Sequence, residues 1–252
     1  MEVVKQSVEL VAMTPNPIEV IERCGRVCYK SEGNMKKYVP CSRCSAVCAV
    51  QLNGHGEPFP QGSDDCEQCH GQGYKTGAEA FLLSLIARGH KSVLEHASAT
   101  MLFITDRGMT HEIVRHRICS YSQESTRFCN YGNSDNGIKV IQPTLVRSSG
   151  AADDGDYNTS KWKAAMDTCE DAYLELIKNG VAPQHARSVL PTCLKTEIAV
   201  TANFSQWRHM IGLRLLDQAG KAHPQIKELF TMVLDHFLNS PARCAFNDLK
   251  TY

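Results

Sequence analysis

The sequence carries no surplus of either charge. Its 27 Lys and Arg are balanced by 27 Asp and Glu, so no global field recruits nucleic acid or an anionic membrane, and any anion site must be local. It also lacks an apolar run long enough to span a bilayer, and Met1-Glu2-Val3-Val4-Lys5 does not read as a signal peptide. The expectation is a cytoplasmic protein with no membrane and no nucleic acid among its partners. In that compartment the twelve cysteines are reduced thiols and metal ligands rather than disulfides. What is present, 252 residues of which 42% are hydrophobic and 21% charged, suffices for one good core with a small appended module.

Between Lys36 and Gly77 apolar periodicity is scarce too, and Gly, Pro, Asp, Gln and five cysteines take its place. Such a segment cannot order itself by burial. It carries two C-x-x-C knuckles, Cys41-Ser42-Arg43-Cys44 and Cys66-Glu67-Gln68-Cys69, twenty-one residues apart. That spacing places four thiolates round a tetrahedral Zn²⁺ in a closed structural site, whose binding free energy folds the module. Cys48, His55 and His70 are alternative ligands, and a redox C-x-x-C is the competing reading. The tail Cys69-His70-Gly71-Gln72-Gly73 resembles one C-x-x-C-x-G-x-G repeat of the J-protein cysteine-rich domain, although Cys41 to Cys44 lacks the glycines. The expectation is an inserted zinc-ribbon-like module at residues 38–75 within a domain running 1–252.

Elsewhere the periodicities are regular. Residues 2 to 11 are rich in β-branched residues and read as one strand, and Thr14-Pro15-Asn16-Pro17 is a turn into a helix with Ile18, Ile21, Gly25 and Cys28 on one face. Cys24 and Cys28 are taken as small core residues. A short apolar helix covers Ala80 to Ala87, with Gly89 as its stop. Ser92 with Glu95 three residues on has the form of a capping box, although a capped helix start is also a phosphate site. Ala99 to Thr105 is an apolar strand, and Asp106 caps a helix that places Met109 and Ile113 inward and Arg107, His111 and Arg115 on another face. Ile138 to Ile141 is a strand and Arg147 to Ser160 a polar loop. Trp162, Met166, Cys169, Tyr173, Leu176 and Ile177 mark a helix ending near Gly180. Ile198, Val200, Ala202 and Phe204 alternate as a half-buried strand does, Asn203 with Gln206 starts a helix, and a last amphipathic helix spans Pro224 to Leu238. The fold class is α/β (α+β), an antiparallel sheet flanked by helices.

Two features point to chemistry. In Arg115-His116-Arg117-Ile118-Cys119-Ser120-Tyr121-Ser122-Gln123-Glu124-Ser125-Thr126-Arg127, three consecutive cations on a helix would spread over more than half its circumference, since neighbours are offset by about 100°. That suits two ligand groups or one long ligand. Gln123, Glu124, Ser125 and Arg127 then supply donors and acceptors for a flat heterocycle or a phosphate. From charge alone the pattern also reads as a solvated basic helix end. The second feature is Arg214, which shares a helical stripe with Trp207, Met210 and Ile211. An unpaired guanidinium there is costly; a bound anion would compensate it, and snorkelling to solvent is the alternative.

Arg-His-Arg, seven residues, then Ser resembles the signature of the flavin-dependent thymidylate synthases. The similarity extends to His90-Lys91-Ser92-Val93-Leu94-Glu95-His96, to Asn203 through Arg214, and to His223-Pro224-Gln225. The resemblance implies a homotetramer with active sites between subunits, where FAD and dUMP stack. It implies transfer of a one-carbon unit from methylenetetrahydrofolate to C5 of dUMP, with FAD carrying the hydride and NADPH reducing the flavin. By the same resemblance Ser92, Arg115, His116, Arg117, Asn203 and His209 hold the flavin, and Ser125, Arg127, Arg187 and Arg214 the nucleotide. His90 lies in the active site, Gln123 stands where many relatives have a glutamate and contacts either ligand, and Glu112 and Glu124 join the substrate side. Arg214 helps ionise the uracil, the device expected for so weak a nucleophile as C5, and Arg214, Ser125 and His90 form the catalytic set.

One position departs from the pattern. Ser205 stands where close relatives carry an arginine, so a phosphate or flavin contact is missing or is supplied by Arg208. That leaves open another pyrimidine C5-modifying activity, such as a hydroxymethylase. Against a reading from a different class, a non-catalytic zinc-ribbon nucleic-acid binder, stand the zero net charge and the sparse basic residues round the knuckles.

Overall fold

The computed structural model describes residues 1–28, 30–35, 38–40, 74–133, 137–143 and 154–249. Four strands form the central antiparallel sheet: β2 (Ser7–Met13), β5 (Ser98–Asp106), β8 (Lys195–Asn203) and β6 (Ser120–Gln123), in that spatial order. Alternation explains the two central strands. Ala99, Met101 and Phe103 of β5 and Ile198, Val200 and Ala202 of β8 are buried, while the residues between them face outward. On the buried face lie α1 (Pro17–Val27), α2 (Gly77–Ala87), α6 (Phe204–Arg214) and α7 (Pro224–Leu238), whose Ile18, Ile21, Leu82, Trp207, Phe230 and Phe237 complete one apolar core. Trp207 is wholly buried and satisfies its indole N–H by donating to the Ala99 carbonyl at 3.1 Å.

A smaller sheet and cluster sit beside this core. The strand expected over 2 to 11 is in fact two: β1 (Glu2–Val4) pairs in parallel with β7 (Lys139–Ile141), and β2 begins only at Ser7. The break has a tertiary cause. The side chain of Gln6 is buried and donates to the Gln225 carbonyl at 3.1 Å and to Glu228 at 2.7 Å, which turns the chain from one sheet to the other. Against β7 packs α4 (Asp154–Lys178), followed by the short α5 (Pro183–Ala186), with Tyr173, Ile138, Val140 and Leu194 at the centre.

Three further expectations are corrected. The polar stretch from 147 to 160 is partly helix, because α4 already begins at Asp154. Cys28 is exposed at the end of α1, one residue past the helix, so it is not a core residue. Lys91–His96 is a 3-10 turn preceded by His90, and Ser92 does not cap it. The capping box lies earlier, where Thr76 accepts from Glu79 N and the Glu79 carboxylate accepts from Thr76 N, starting α2. Gly89 does end that helix region, with φ +78.

The excursion between α1 and α2 has a defined neck. Strand β3 (Tyr38–Pro40) pairs antiparallel with β4 (Tyr74–Thr76), bringing residues 38 and 76 opposite one another. Cys41, Cys44, Cys66 and Cys69, the expected zinc ligands, lie outside the described residues.

Two aspartate and asparagine caps aim the helices that matter most. Asp106, the last residue of β5, accepts from Met109 N at 2.8 Å and starts α3 (Arg107–Ile113). Asn203, the last residue of β8, accepts from Gln206 N at 2.8 Å and starts α6. Since the two strands are antiparallel, the caps stand at opposite ends of the ladder. Asp106 also accepts from the buried Gln225 amide at 2.5 Å. Asp106→Ala therefore removes a cap and strands that amide, and is expected to cost about 2–4 kcal/mol. Denaturant midpoints at unchanged slope measure this; a loss below about 0.5 kcal/mol would place the α3 start elsewhere.

Candidate active site

The first cluster forms where the C-terminal ends of α3 and α6 meet. Helix α3 stops at Ile113, so Arg115, His116 and Arg117 are not spread round a helix as expected. They lie in the turn beyond it, with Arg115 and Arg117 exposed and His116 buried between them. Tyr121, on β6, clamps this turn by donating toward the carbonyls of Ile113 (2.9 Å) and His116 (2.5 Å).

Arg214 ends α6 and is not stranded on its apolar stripe. Its Nη1 pairs with Glu112 Oε2 at 2.7 Å, its Nη2 donates to the Glu112 carbonyl at 3.2 Å, and its Nε donates to His116 Nε2 at 3.0 Å. Neither proposed fate holds as stated: a carboxylate of this chain supplies the counter-charge. The guanidinium also satisfies a carbonyl at the end of α3, where a cation complements the helix dipole. Accepting from Arg214 requires a neutral His116 with its proton on Nδ1. Burial, then the Arg214 charge, then His209 hold this imidazole down at about 4. The exposed His209 sits edge-on to His116, ring centroids 6.3 Å apart.

The second cluster is the loop after β6. Gln123 spends its amide N–H groups on Thr110 (2.9 Å) and Thr196 (3.3 Å), leaving its carbonyl oxygen. Glu124 is held from both sides, accepting from the Tyr131 hydroxyl at 2.6 Å and pairing with Lys195 at 3.4 Å, so its carboxylate serves the loop before any ligand. Ser125 Oγ accepts from Arg127 N at 3.3 Å, and the Ser125 carbonyl accepts from the amides of Phe128 and Cys129. Arg127 is exposed over the Phe128 ring. Arg187, also exposed, donates to Thr126 Oγ1 at 3.2 Å. Arg187 thus joins the Ser125 loop across 61 residues of chain, as two cations beside a hydroxyl.

A cleft of about 450 Å³ opens on the other side of α6, lined by Lys91, Ile118, Ser205, Gln206, His209 and Gln218 among others. It brings Lys91 and Leu94 of the 3-10 turn, Ile118 just past the Arg-His-Arg run, and α6 to one place. Its volume falls within the usual range for ligand pockets, and its lining mixes apolar walls with several polar groups. Ser92 and His90 are exposed, His90 at the turn after Gly89. Asn203 has its side-chain oxygen committed to the cap. Arg208 does not stand in for the missing arginine at 205, because it is buried and paired with both oxygens of Asp248 at 2.7 and 2.6 Å. Tyr121, Tyr131, Lys195 and Asp248 escaped sequence reasoning, since each acts through a partner remote in the chain.

The fold and these clusters define an α/β protein whose exposed arginines, a serine loop and a cleft suit an anionic, planar ligand. The sequence model described as "Thymidylate synthase complementing protein" matches residues 9–240, and this chain belongs to that family. It is 38% identical over 141 residues to the flavin-dependent thymidylate synthase of Geobacter sulfurreducens, covering 56% of this chain and 57% of that one. For the enzyme of the same name from Mycobacteroides abscessus the identity is 39% over 158 residues, covering 56% and 59%. With that of Corynebacterium diphtheriae it is 32% over 182 residues, 69% of each chain. The chain thus spans a little over half the length of the first two relatives. The crystal structure of a UMP/dUMP methylase PolB from Streptomyces cacaoi bound with 5-Br dUMP superposes with a TM-score of 0.70 at 20% identity, covering 98% of this chain and 97% of that one. That likeness establishes the shared fold.

The neutral His116 makes a pH-dependent element. An unfolded imidazole titrates near 6.5 and the folded one at about 4, so between these values the unfolded chain binds more protons. The contribution is complete above about 6.5 and is lost as pH falls toward 4. Melting temperature should drop over that window more steeply in the parent than in His116→Asn. An imidazole seen by NMR to titrate near 6.5 would contradict the buried, neutral assignment.

Proposed function

We propose that this protein is a flavin-dependent thymidylate synthase. It methylates dUMP at C5, with methylenetetrahydrofolate as carbon donor and NADPH-reduced FAD as hydride source. The observation that carries the reading is Arg214, a guanidinium held rigid by Glu112 and His116 in a chain whose family membership and named relatives point to this activity. A fixed cation stabilises charge developing on the pyrimidine without reorganising at the moment of reaction.

The other roles follow the clusters. Ser125, Arg127 and Arg187 form the nucleotide side, with the two exposed guanidinium groups placed for phosphate. Ser92, Arg115, His116, Arg117, Asn203 and His209 would hold the flavin; His209 lines the cleft, and Lys91, Leu94 and Ile118, which line it too, are chain neighbours of Ser92 and of the Arg-His-Arg turn. When bound, the flavin supplies the hydride chemistry, and the protein supplies position and charge. His90 would reach the ligands from the adjoining turn, and Gln123 through its remaining carbonyl oxygen. Ile118 and Phe128, 72% and 80% exposed within the signature itself, favour a homotetramer with the sites between subunits. Ser205 lines the cleft where an arginine was expected; this observation favours, as second reading, a different C5 modification of a pyrimidine. Among the described residues no helix is long and apolar enough to cross a membrane; the location proposed is the cytoplasm.

The test is dUMP methylation with methylenetetrahydrofolate and NADPH by the flavin-loaded protein. Arg214→Ala should keep its flavin and lose turnover by roughly a hundredfold or more, the scale of a lost charge stabiliser. Arg117→Ala and Ser92→Ala should instead release FAD more readily. Wild-type turnover in Arg214→Ala would make it a structural cation only.

For residues 38–75 we propose one zinc per subunit, bound by Cys41, Cys44, Cys66 and Cys69, as a structural site without an open position. The β3–β4 neck supports a separate module, since it closes the excursion before the cysteines begin. Chelation should remove one zinc and leave flavin colour and activity in place. Absence of stoichiometric zinc, or loss of colour in step with it, would reject an independent site.

A further inference from the structure

We infer that the Glu124 carboxylate meets no ligand and instead holds Ser125 and Arg127 ready for the nucleotide, with Tyr131 and Lys195 as the residues that position it. The inference rests on the uracil-nucleotide reading above and adds to that site two positioning residues remote from the ligand.

A count of hydrogen-bonding groups carries the argument. Glu124 is the first residue past β6, and every polar atom it owns is already matched. Its N–H donates to the Glu197 carbonyl at 2.9 Å, which extends the β6–β8 pairing by one rung. Its carbonyl accepts from Arg107 Nη1 at 3.3 Å. Its carboxylate oxygens go to different elements, Oε1 to the Tyr131 hydroxyl at 2.6 Å and Oε2 to Lys195 Nζ at 3.4 Å. The Glu124 side chain is 17% exposed and that of Lys195 19%, so both are largely withdrawn from water, where bonds to an ionised group are stronger than at the surface. Each partner is anchored in turn. The Tyr131 N–H donates to the Tyr173 hydroxyl at 3.3 Å, and the two rings lie 5.9 Å apart, which ties Tyr131 to α4 in the smaller core. Burial, then the bond to Glu124, push the Tyr131 hydroxyl above its ordinary pKa, so it remains a donor at neutral pH. Lys195 starts β8 and also pairs with Glu197.

The residues that follow Glu124 are in the opposite condition. Ser125 commits its carbonyl to Phe128 N and Cys129 N, and its Oγ accepts from Arg127 N, yet its O–H donates to nothing among the described residues. Arg127 is exposed. The donors for an anion therefore lie one and three positions along the chain from a residue fixed at every polar atom. A loop ordered beforehand loses little conformational entropy when its ligand binds. Releasing the Glu124 carboxylate should thus weaken nucleotide binding and leave the cleft beside α6, which other residues line, as it is.

Equilibrium binding of dUMP to the flavin-loaded protein, well below its melting temperature, tests this. Tyr131→Phe and Lys195→Met should each weaken dUMP about tenfold with flavin retention unchanged. The double variant should lose little more than either alone, as residues acting through one carboxylate do. Lys195→Arg, which keeps the cation, should recover most of the loss. In the wild type the amides of Phe128 and Cys129 should resist hydrogen exchange before any dUMP is added, a measurement that needs no variant. Amides that exchange freely until dUMP arrives would show a loop ordered by its ligand and overturn the inference. Lower melting temperatures with unchanged dUMP affinity in both single variants would do the same, leaving the network a structural support. Loss of dUMP binding in Glu124→Gln but in neither Tyr131→Phe nor Lys195→Met would put the carboxylate on the nucleotide and overturn it too. A wild type with no affinity for dUMP would overturn the uracil reading itself, and this inference with it.

Discussion

Nine residue pairs join Ser98–Asp106 to Lys195–Asn203, and that ladder sets where everything else can go. Each strand ends in a residue whose short polar side chain caps the next helix, Asp106 for α3 and Asn203 for α6. Because the strands are antiparallel, the helices start from opposite ends of the ladder and their C-termini can meet. Arg214 closes that meeting by bonding the last turn of α3. The central sheet therefore acts on the site through two caps, and the Gln225 amide ties one of them to α7.

The electrostatics divide the arginines into two kinds. Arg208 and Arg214 lie on one helix and both are matched within the chain, by Asp248 and Glu112. Removing a guanidinium from water without a partner would cost several kcal/mol, so the fold supplies carboxylates before any ligand arrives. Arg115, Arg117, Arg127 and Arg187 stay exposed and keep donors for external anions. A chain with zero net charge thus leaves exposed guanidinium groups in the turn after α3 and beside the Ser125 loop, where the proposed ligands would use them.

Family membership and local geometry constrain different things. The match over residues 9–240 makes the activity the natural proposal, and the superposition supports the fold. Neither says how Arg214 is compensated, that Arg208 is committed to Asp248, or that Glu124 is held by Tyr131 and Lys195. Those facts come from contacts between residues far apart in sequence, and they separate groups that face a ligand from groups that keep the loops in shape.

Local patterns determined most elements. The alternation of β5 and β8, the Asp106 and Asn203 caps, the stop at Gly89 and the last helix from Pro224 to Leu238 all depend on near neighbours, and all were legible in the chain. The signature was legible as a motif for the same reason. Where the reading of the first strand failed, a distant partner decided: buried Gln6, bonded to Gln225 and Glu228, split it into two. His116 looked like one cation of three, but it is neutral because burial and the Arg214 charge, both products of tertiary packing, act on it together. Arg214 looked unpaired because the spacing of α6 says nothing about α3. Periodicity reports which face of an element is buried; only the folded chain reports which charge it is buried against.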